Sequence, residues 1–285
     1  MRAMMDGAPF PPAELAHVPV QQHPAHAAAL RRIGAGVQRI DLADGGYAHA
    51  LLRRFGPLRL ALVPRGPVWP EPRAPRMDDL RALRRALPAR TMLIVNGDGP
   101  LPRSLRILPL VTPQWVAEWD LTPPPDTLRA GLHQKWRNRL HRAGAAPVHE
   151  QAMPPDPDHW LLQHEGATAR RRGYTPWPAK LVAAHAAAGH ARLFTAGPRD
   201  APVAAMLFLR HGARATYQIG WSGAAGRAQD AHRLLLWHAA MALRGDGVRC
   251  LDLGTIDTET APGLARFKLG TGARARPLGP TVLVP

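Results

Sequence analysis

Apolar residues recur along this chain in two rhythms. Leu80, Leu83 and Leu87 fall at i, i+3 and i+7, which predicts a helix over residues 77–87. Asp78 and Asp79 near its start and Arg84 and Arg85 near its end suit the helix dipole. Leu128, Leu132, Trp136 and Leu140 fall every fourth residue and predict one continuous helix over 126–143, with Lys135, Arg137, Arg139 and Arg142 on its other faces. Further helices are predicted at 25–34, 160–172, 178–188 and 228–244, the last three closed by Gly173, Gly189 and Gly245. Between them lie short β-rich runs, at 38–42, 47–55, 58–63, 91–95 and 115–121, then at 192–196, 201–211, 215–221, 250–253 and 276–284. Gly56-Pro57 and Gly212-Ala213 mark tight turns between paired runs. Three antiparallel strands, a helix, a buried strand and a closing strand make up the last third. The first part passes through a similar order.

A chain of 285 residues with 46% hydrophobic content is too apolar for disorder and long enough for about two domains. The prolines punctuate loops at 9–12, 64–75, 123–125 and 154–157. The formal charge of +16 comes almost wholly from arginine, since Lys135, Lys180 and Lys268 are the chain's lysines. Such a surface suits RNA, nucleotide phosphates or anionic lipid, and an Ala/Arg/Pro/Gly-rich composition accounts for it equally well. Cys250 is single, which excludes an intramolecular disulfide and a cysteine-based metal cluster. The 14 histidines contain no H-E-x-x-H, and His133 and His141 stand too far apart to share a ligand on one helix face, so no metal is expected. No signal-peptide core and no apolar run of about 20 residues is found, which leads to the expectation of a cytoplasmic protein open to peripheral contact with an anionic membrane.

Three segments carry a resemblance. They are Trp119-Asp120-Leu121 with LHQKWRNRLHRA (132–143), YQIGW (217–221), and LDLGTIDTETAPGLARFKLGTG (251–272), which contains Arg266-Phe267-Lys268-Leu269-Gly270. The first 110 residues contribute loosely, chiefly through Arg65-Gly66-Pro67-Val68-Trp69. With these the chain resembles the Fem-type peptidoglycan-bridge aminoacyltransferases, a branch of the GNAT acyltransferase superfamily. The resemblance implies an α/β (α+β) fold of twin GNAT-like acyltransferase domains, each a mixed, mostly antiparallel sheet flanked by helices. An N-terminal half at 1–125, a connecting basic helix at 126–145 and a C-terminal half at 146–285 carrying the Phe-Lys motif are expected. It also implies transfer of an aminoacyl group from charged tRNA to an amine acceptor such as a cell-wall precursor, without metal or organic cofactor. Phe267 and Lys268 match the family's Phe-Lys pair, with the lysine on the reacting carbonyl. Arg170 and Tyr174 match an acceptor-binding arginine and tyrosine four residues apart, and Tyr217 a further substrate contact. Lys135, Arg137 and Arg139 are candidates for the nucleic acid. The chain is short for the family and lacks its coiled-coil arm.

Acyl transfer to an amine passes through a tetrahedral oxyanion, which a fixed cation such as Lys268 stabilises. Asp252 and Asp257, flanking a glycine turn, suit either proton acceptance or loop bonding. Gly223-Ala224-Ala225-Gly226-Arg227 is a degenerate version of the pyrophosphate loop of acetyl-CoA users. It keeps open an acyl-CoA-dependent GNAT N-acetyltransferase as the alternative, and a non-enzymatic RNA- or membrane-surface-binding protein as a second.

Overall fold

A computed structural model describes residues 17–104, 107–144 and 146–285; the proline stretch at 9–12 lies outside them. The first part of the chain forms α1 (Pro24–Arg32), β1 (Gly36–Asp41), β2 (Tyr47–Phe55), β3 (Leu58–Pro64), α2 (Met77–Arg85), β4 (Thr91–Asn96), β5 (Leu108–Val111) and β6 (Trp115–Asp120). Next come α3 (Pro125–Gly131), α4 (Gln134–Ala143), β7 (Val148–Ala152), α5 (Trp160–Arg172) and α6 (Ala179–Ala187). The remainder is β8 (Ala191–Ala196), β9 (Ala204–His211), β10 (Arg214–Ser222), α7 (Ala224–Ala228), α8 (Ala231–Gly245), β11 (Cys250–Ile256), α9 (Pro262–Leu269), β12 (Arg274–Pro277) and β13 (Thr281–Val284).

The fold is α/β with two mixed sheets, ordered β1-β2-β3-β4-β13-β5 and β12-β6-β11-β10-β9-β8-β7. Each has one parallel pair, β3 with β4 and β10 with β11, among antiparallel neighbours. The sheets do not divide the chain at one point. β6 enters the second sheet between β12 and β11, and β13, the last strand, returns to the first sheet between β4 and β5. One face of the second sheet packs on α3, α4 and α8 through Leu128, Trp136, Leu140, Leu234 and Leu235. The opposite face packs on α5 and α6 through Leu161 and Val182.

The helix expected over 126–143 is broken. Leu132 is extended (φ −64°, ψ 137°) and the amide of His133 bonds Gly270 O at 2.9 Å, so a contact with the far end of the chain replaces the helical one. The apolar stripe survives the break, with Leu128, Leu132, Trp136 and Leu140 all buried. The single strand expected at 276–284 is two strands in different sheets. Residues 262–269, for which no element was predicted, form α9, which Pro262 starts from a position where its missing N–H costs nothing.

Polar side chains are buried where α1, β2 and α6 meet the end of β9. His23, His26, His49, His185 and His211 are all buried there, joined by half-buried His190. His26 Nδ1 lies 3.0 Å from His185 Nε2, and the His23 and His211 rings stand 5.5 Å apart. Burial is the main cause that pushes His23, His49 and His185 down to about 4 and His26 to about 3, with neighbouring histidines adding to it for His23, His26 and His185.

Candidate active site

β10 and β11 run parallel for three residue pairs, from Arg214↔Cys250 to Thr216↔Asp252, and then part. Both strands are irregular where they part. Against β9, Tyr217 pairs with Phe208 and Ile219 with Leu207, so Gln218 is an extra residue. Tyr217 accordingly packs with one core and Ile219 with the other. Against β6, the register of β11 shifts between Asp252 and Thr255, around Gly254 at φ +78°. A positive φ there favours glycine.

Lys268 on α9 reaches this irregular stretch of β11. Its side chain is buried and Nζ donates to Thr255 O at 2.7 Å. Burial pulls its pKa down to about 8, while Asp252 pulls the other way. The helix itself is tied to α4: Trp136 Nε1 donates to Phe267 O at 3.0 Å, and the two rings are 6.2 Å apart. A Cβ on Gly270 would lie 2.7 Å from Trp136, which explains the glycine that follows the Phe-Lys pair.

Asp252 is 1% exposed and links this stretch to the first part of the chain. Its Oδ1 accepts from Gly254 N at 2.7 Å and its Oδ2 from Arg65 Nη1 at 2.5 Å. Arg65 also donates from Nε to Asp98 at 2.7 Å. Burial opposes the Arg65 charge, but Asp252 and Asp98 more than offset this and raise its pKa. Arg276 bonds both Asp98 and Glu118, and Arg214 donates to Glu118 at 2.7 Å. Burial would raise Glu118, yet Arg276 and Arg214 hold it at about 2. Three arginines and three carboxylates thus neutralise one another beneath Gly254 and Thr255. Replacing Arg65 by leucine is expected to strand the Asp252 carboxylate and cost about 3–5 kcal/mol of stability, read as a lower urea midpoint. An unchanged midpoint would mean that the network contributes nothing.

Arg170 and Tyr174, on and just after α5, lie on the far side of β10. A cavity of about 180 Å³ is lined by Glu165, Gly166, Trp177, Pro178, Gln218 and Ile219, among others. Tyr174 is exposed and its hydroxyl donates to Glu165 at 2.7 Å, while Arg170 lies over Gly166. Tyr217 is close enough for burial, Glu165 and Tyr174 together to raise its pKa, so it stays a neutral hydroxyl. Gly220 makes room for it, since a Cβ there would fall 1.7 Å from the Tyr217 hydroxyl. The structure therefore sets Arg170 and Tyr174 beside Glu165 on the α5 face of β10, Tyr217 in the core on the opposite face, and Phe267 and Lys268 next to β11. A larger cavity of about 320 Å³ lies beside Trp69, Arg73, Asp98 and Arg276, where carboxylates already occupy both guanidinium groups.

On α4, Lys135 and Arg139 are exposed and Arg137 half-buried, its Nη1 on Ala130 O at 3.3 Å. Arg139 comes within 3.7 Å of Asp230, which stands at the N-terminus of α8. The loop at 223–227 is the short helix α7. Gly226 is buried in it, and a Cβ there would meet Val203 O at 2.3 Å; Arg227 donates to Ser222 O at 2.6 Å. Both glycine and arginine serve local packing. Asp257 holds its own turn by accepting from the amides of Glu259 and Thr260, each at 2.8 Å. Among the described residues, no three His, Cys, Asp or Glu side chains gather in a way that could hold a metal ion.

Arg65, Glu118, Glu165 and the histidine seam escaped the sequence reading. Only the pairing of Arg65 with the neighbouring Gly66-Pro67 gave any signal.

Residues 129–269 match the family model described as an acetyltransferase (GNAT) domain. Over nearly the whole chain the fold is similar to that of solved structures. FemX aligns at 14% identity with a TM-score of 0.71, over 99% of this chain and 98% of that one. The C-terminal domain of a putative lysylphosphatidylglycerol synthetase from Agrobacterium fabrum aligns at 12% identity and TM-score 0.56, over 96% and 91%. A tandem GNAT protein from the clavulanic acid biosynthesis pathway aligns at 12% and 0.51, over 91% and 86%. At these identities the likeness is one of fold. No curated protein matches the sequence.

Proposed function

We propose that this chain, whose residues 129–269 match the acetyltransferase (GNAT) domain model, is an acyltransferase that transfers an aminoacyl group from charged tRNA to an amine on a cell-wall precursor. The observation that carries this reading is the seating of Lys268 Nζ on Thr255 O, in the stretch where β11 has left β10. One N–H is used by that carbonyl, and the ammonium keeps two for the oxygen that becomes negative as the amine attacks. Phe267 and Trp136 flank the lysine's helix and exclude water. On the acceptor side, Arg170 supplies a cation and Tyr174 a hydroxyl beside Glu165, which lines the cavity at β10, and Tyr217 supplies a neutral hydroxyl from the other face of that strand. As the bond to nitrogen forms, the ester bond to the tRNA ribose oxygen breaks, and the proton shed by the neutral amine goes to that leaving oxygen, so the activated ester needs no separately assigned base.

The choice of donor rests on the N-terminus of α8. In a CoA enzyme that terminus holds a pyrophosphate on free backbone amides. Here α7 packs in front of it and Asp230, a carboxylate paired with Arg233, stands at its first position. The helix start is thus occupied by α7 and by an internally paired side chain rather than left as open backbone amides. The experiment offers charged tRNA and acyl-CoA separately, with a mixed pool of amine acceptors, and measures label transfer. Transfer from aminoacyl-tRNA is expected. Transfer from acyl-CoA alone would establish the CoA-dependent alternative and overturn this reading.

A further inference from the structure

One end of the six-stranded sheet gathers arginines from three separate stretches of chain. α1 ends there with Arg31 and Arg32, because Gly36 at the start of β1 pairs with Leu52 near the end of β2. The β2–β3 hairpin turns there, with Phe55 paired to Leu58 and Arg54 to Arg59, and Arg53 beside them. β4 starts at the same end, since Thr91 pairs with Arg59, and it follows Arg84 and Arg85 of α2 and then Arg90. Residues 30–36, 52–60 and 84–92 hold these eight arginines and no Asp or Glu. That is +8 in a chain whose net charge is +16. Seven of the eight are exposed and Arg84 is half-buried. Arg54 and Arg85 bond only backbone carbonyls, and among the described residues none of the eight enters an ion pair.

Large apolar side chains stand open at the same end. Phe55 is 62% exposed at the hairpin tip, with Leu58 at 44%, Met92 at 40% and Leu108, on the neighbouring edge strand β5, at 57%. Among the described residues, none covers them. Among the described residues no helix is long and apolar enough to cross a membrane, so any membrane contact these helices make is peripheral.

We infer that this end of the first sheet is a docking surface for an anionic lipid bilayer, with Phe55 and Leu58 entering below the headgroups and the arginines reaching lipid phosphates. The physics of each part fits. Arginine stems lie along apolar surface while their heads stay with the phosphates. An anionic leaflet supplies the counter-charge that the protein lacks. RNA would satisfy the charge but leave Leu58, Met92 and Leu108 in water, which favours lipid. The inference is independent of the donor and acceptor proposed above, because no residue of the rim belongs to that site.

The test is co-sedimentation of the full chain with vesicles of phosphatidylcholine, with and without phosphatidylglycerol. The wild type is expected to bind the phosphatidylglycerol vesicles, and to bind phosphatidylcholine alone far more weakly. R53Q/R54Q/R59Q should weaken partitioning about 100-fold, since each basic residue near an anionic surface contributes about fivefold. F55S/L58S should weaken it about tenfold at unchanged charge. All five positions are exposed, so both variants should melt like the wild type. Absence of wild-type binding to phosphatidylglycerol vesicles would overturn the inference without recourse to any variant. So would variants that bind as the wild type does, or that keep vesicle binding while losing binding to tRNA, an outcome that would assign the rim to nucleic acid.

Discussion

Replacing Lys268 by methionine is expected to lower acyl transfer by about 10²–10³-fold, leaving the KM for the acceptor little changed. The substitution keeps the apolar length that packs α9 against β11 and removes the charge alone. Loss of one fixed oxyanion donor costs about 3–4 kcal/mol of transition-state stabilisation. The effect belongs to kcat because the oxygen becomes negative only as the bond to nitrogen forms. The pH profile separates this role from a structural one. With the Lys268 pKa lowered to about 8, the ammonium is present below that pH and lost as pH rises through it. Wild-type kcat should therefore fall above about pH 8, and that alkaline limb should vanish in K268M. Lys268→Arg, whose side chain stays charged, should push the limb beyond the measurable range, though its planar head fits the Thr255 carbonyl less well. If K268M retained wild-type kcat, acyl transfer would have to be assigned to another group.

How much of this was legible in the sequence depended on whether a residue acts through its neighbours in the chain or across the fold. Phe267 and Lys268 could be singled out because the motif that carries them is local, although the helix they sit on was not read. The i, i+4 stripe on 126–143 told truly which side chains are buried, because it reports a face. It could not report the break at Leu132, which is caused by a carbonyl from residue 270. Arg65 shows the limit most clearly. It was visible only as part of a short motif, while its partner Asp252 is 187 positions away. Asp252 itself had been given two possible roles. The structure shows it bonded to Gly254 N and Arg65, which is a loop-holding arrangement. β13 was read together with β12 because no signal in nine residues reveals that a chain is about to change sheets. The histidines were weighed only for metal-ligand spacing, and it is the packing of α1 against α6 and the approach of His23 to His211 that make them one cluster.

That cluster should make the protein acid-labile well above the usual range. His23, His26, His49 and His185 are buried as neutral rings, with pKa values pushed down to about 3–4. In the unfolded chain each returns to about 6.5. Below that pH the unfolded state takes up protons that the folded state refuses, so stability is complete above about 6.5 and is lost as pH falls. Each histidine costs about 1.4 kcal/mol per pH unit over this window. Four together cost roughly 5 kcal/mol by pH 5.5, against a total stability of about 5–15 kcal/mol for a typical domain. The surrounding charges deepen the effect. Arg39 and Arg31 face His49, Arg210 faces His190, and Arg214 and Arg65 face His211, while Asp41 alone opposes them at His49. A series of urea denaturations should show the midpoint falling steeply from pH 6.5 to 5.5 and the native state lost near pH 5. The contact of α1 with α6 should open first, because His26 and His185 share a single proton across their 3.0 Å contact and a second one cannot enter without separating the rings. A midpoint that held constant from pH 7 to 5 would show that the seam accommodates charged imidazoles, and the neutral packing described here would have to be abandoned.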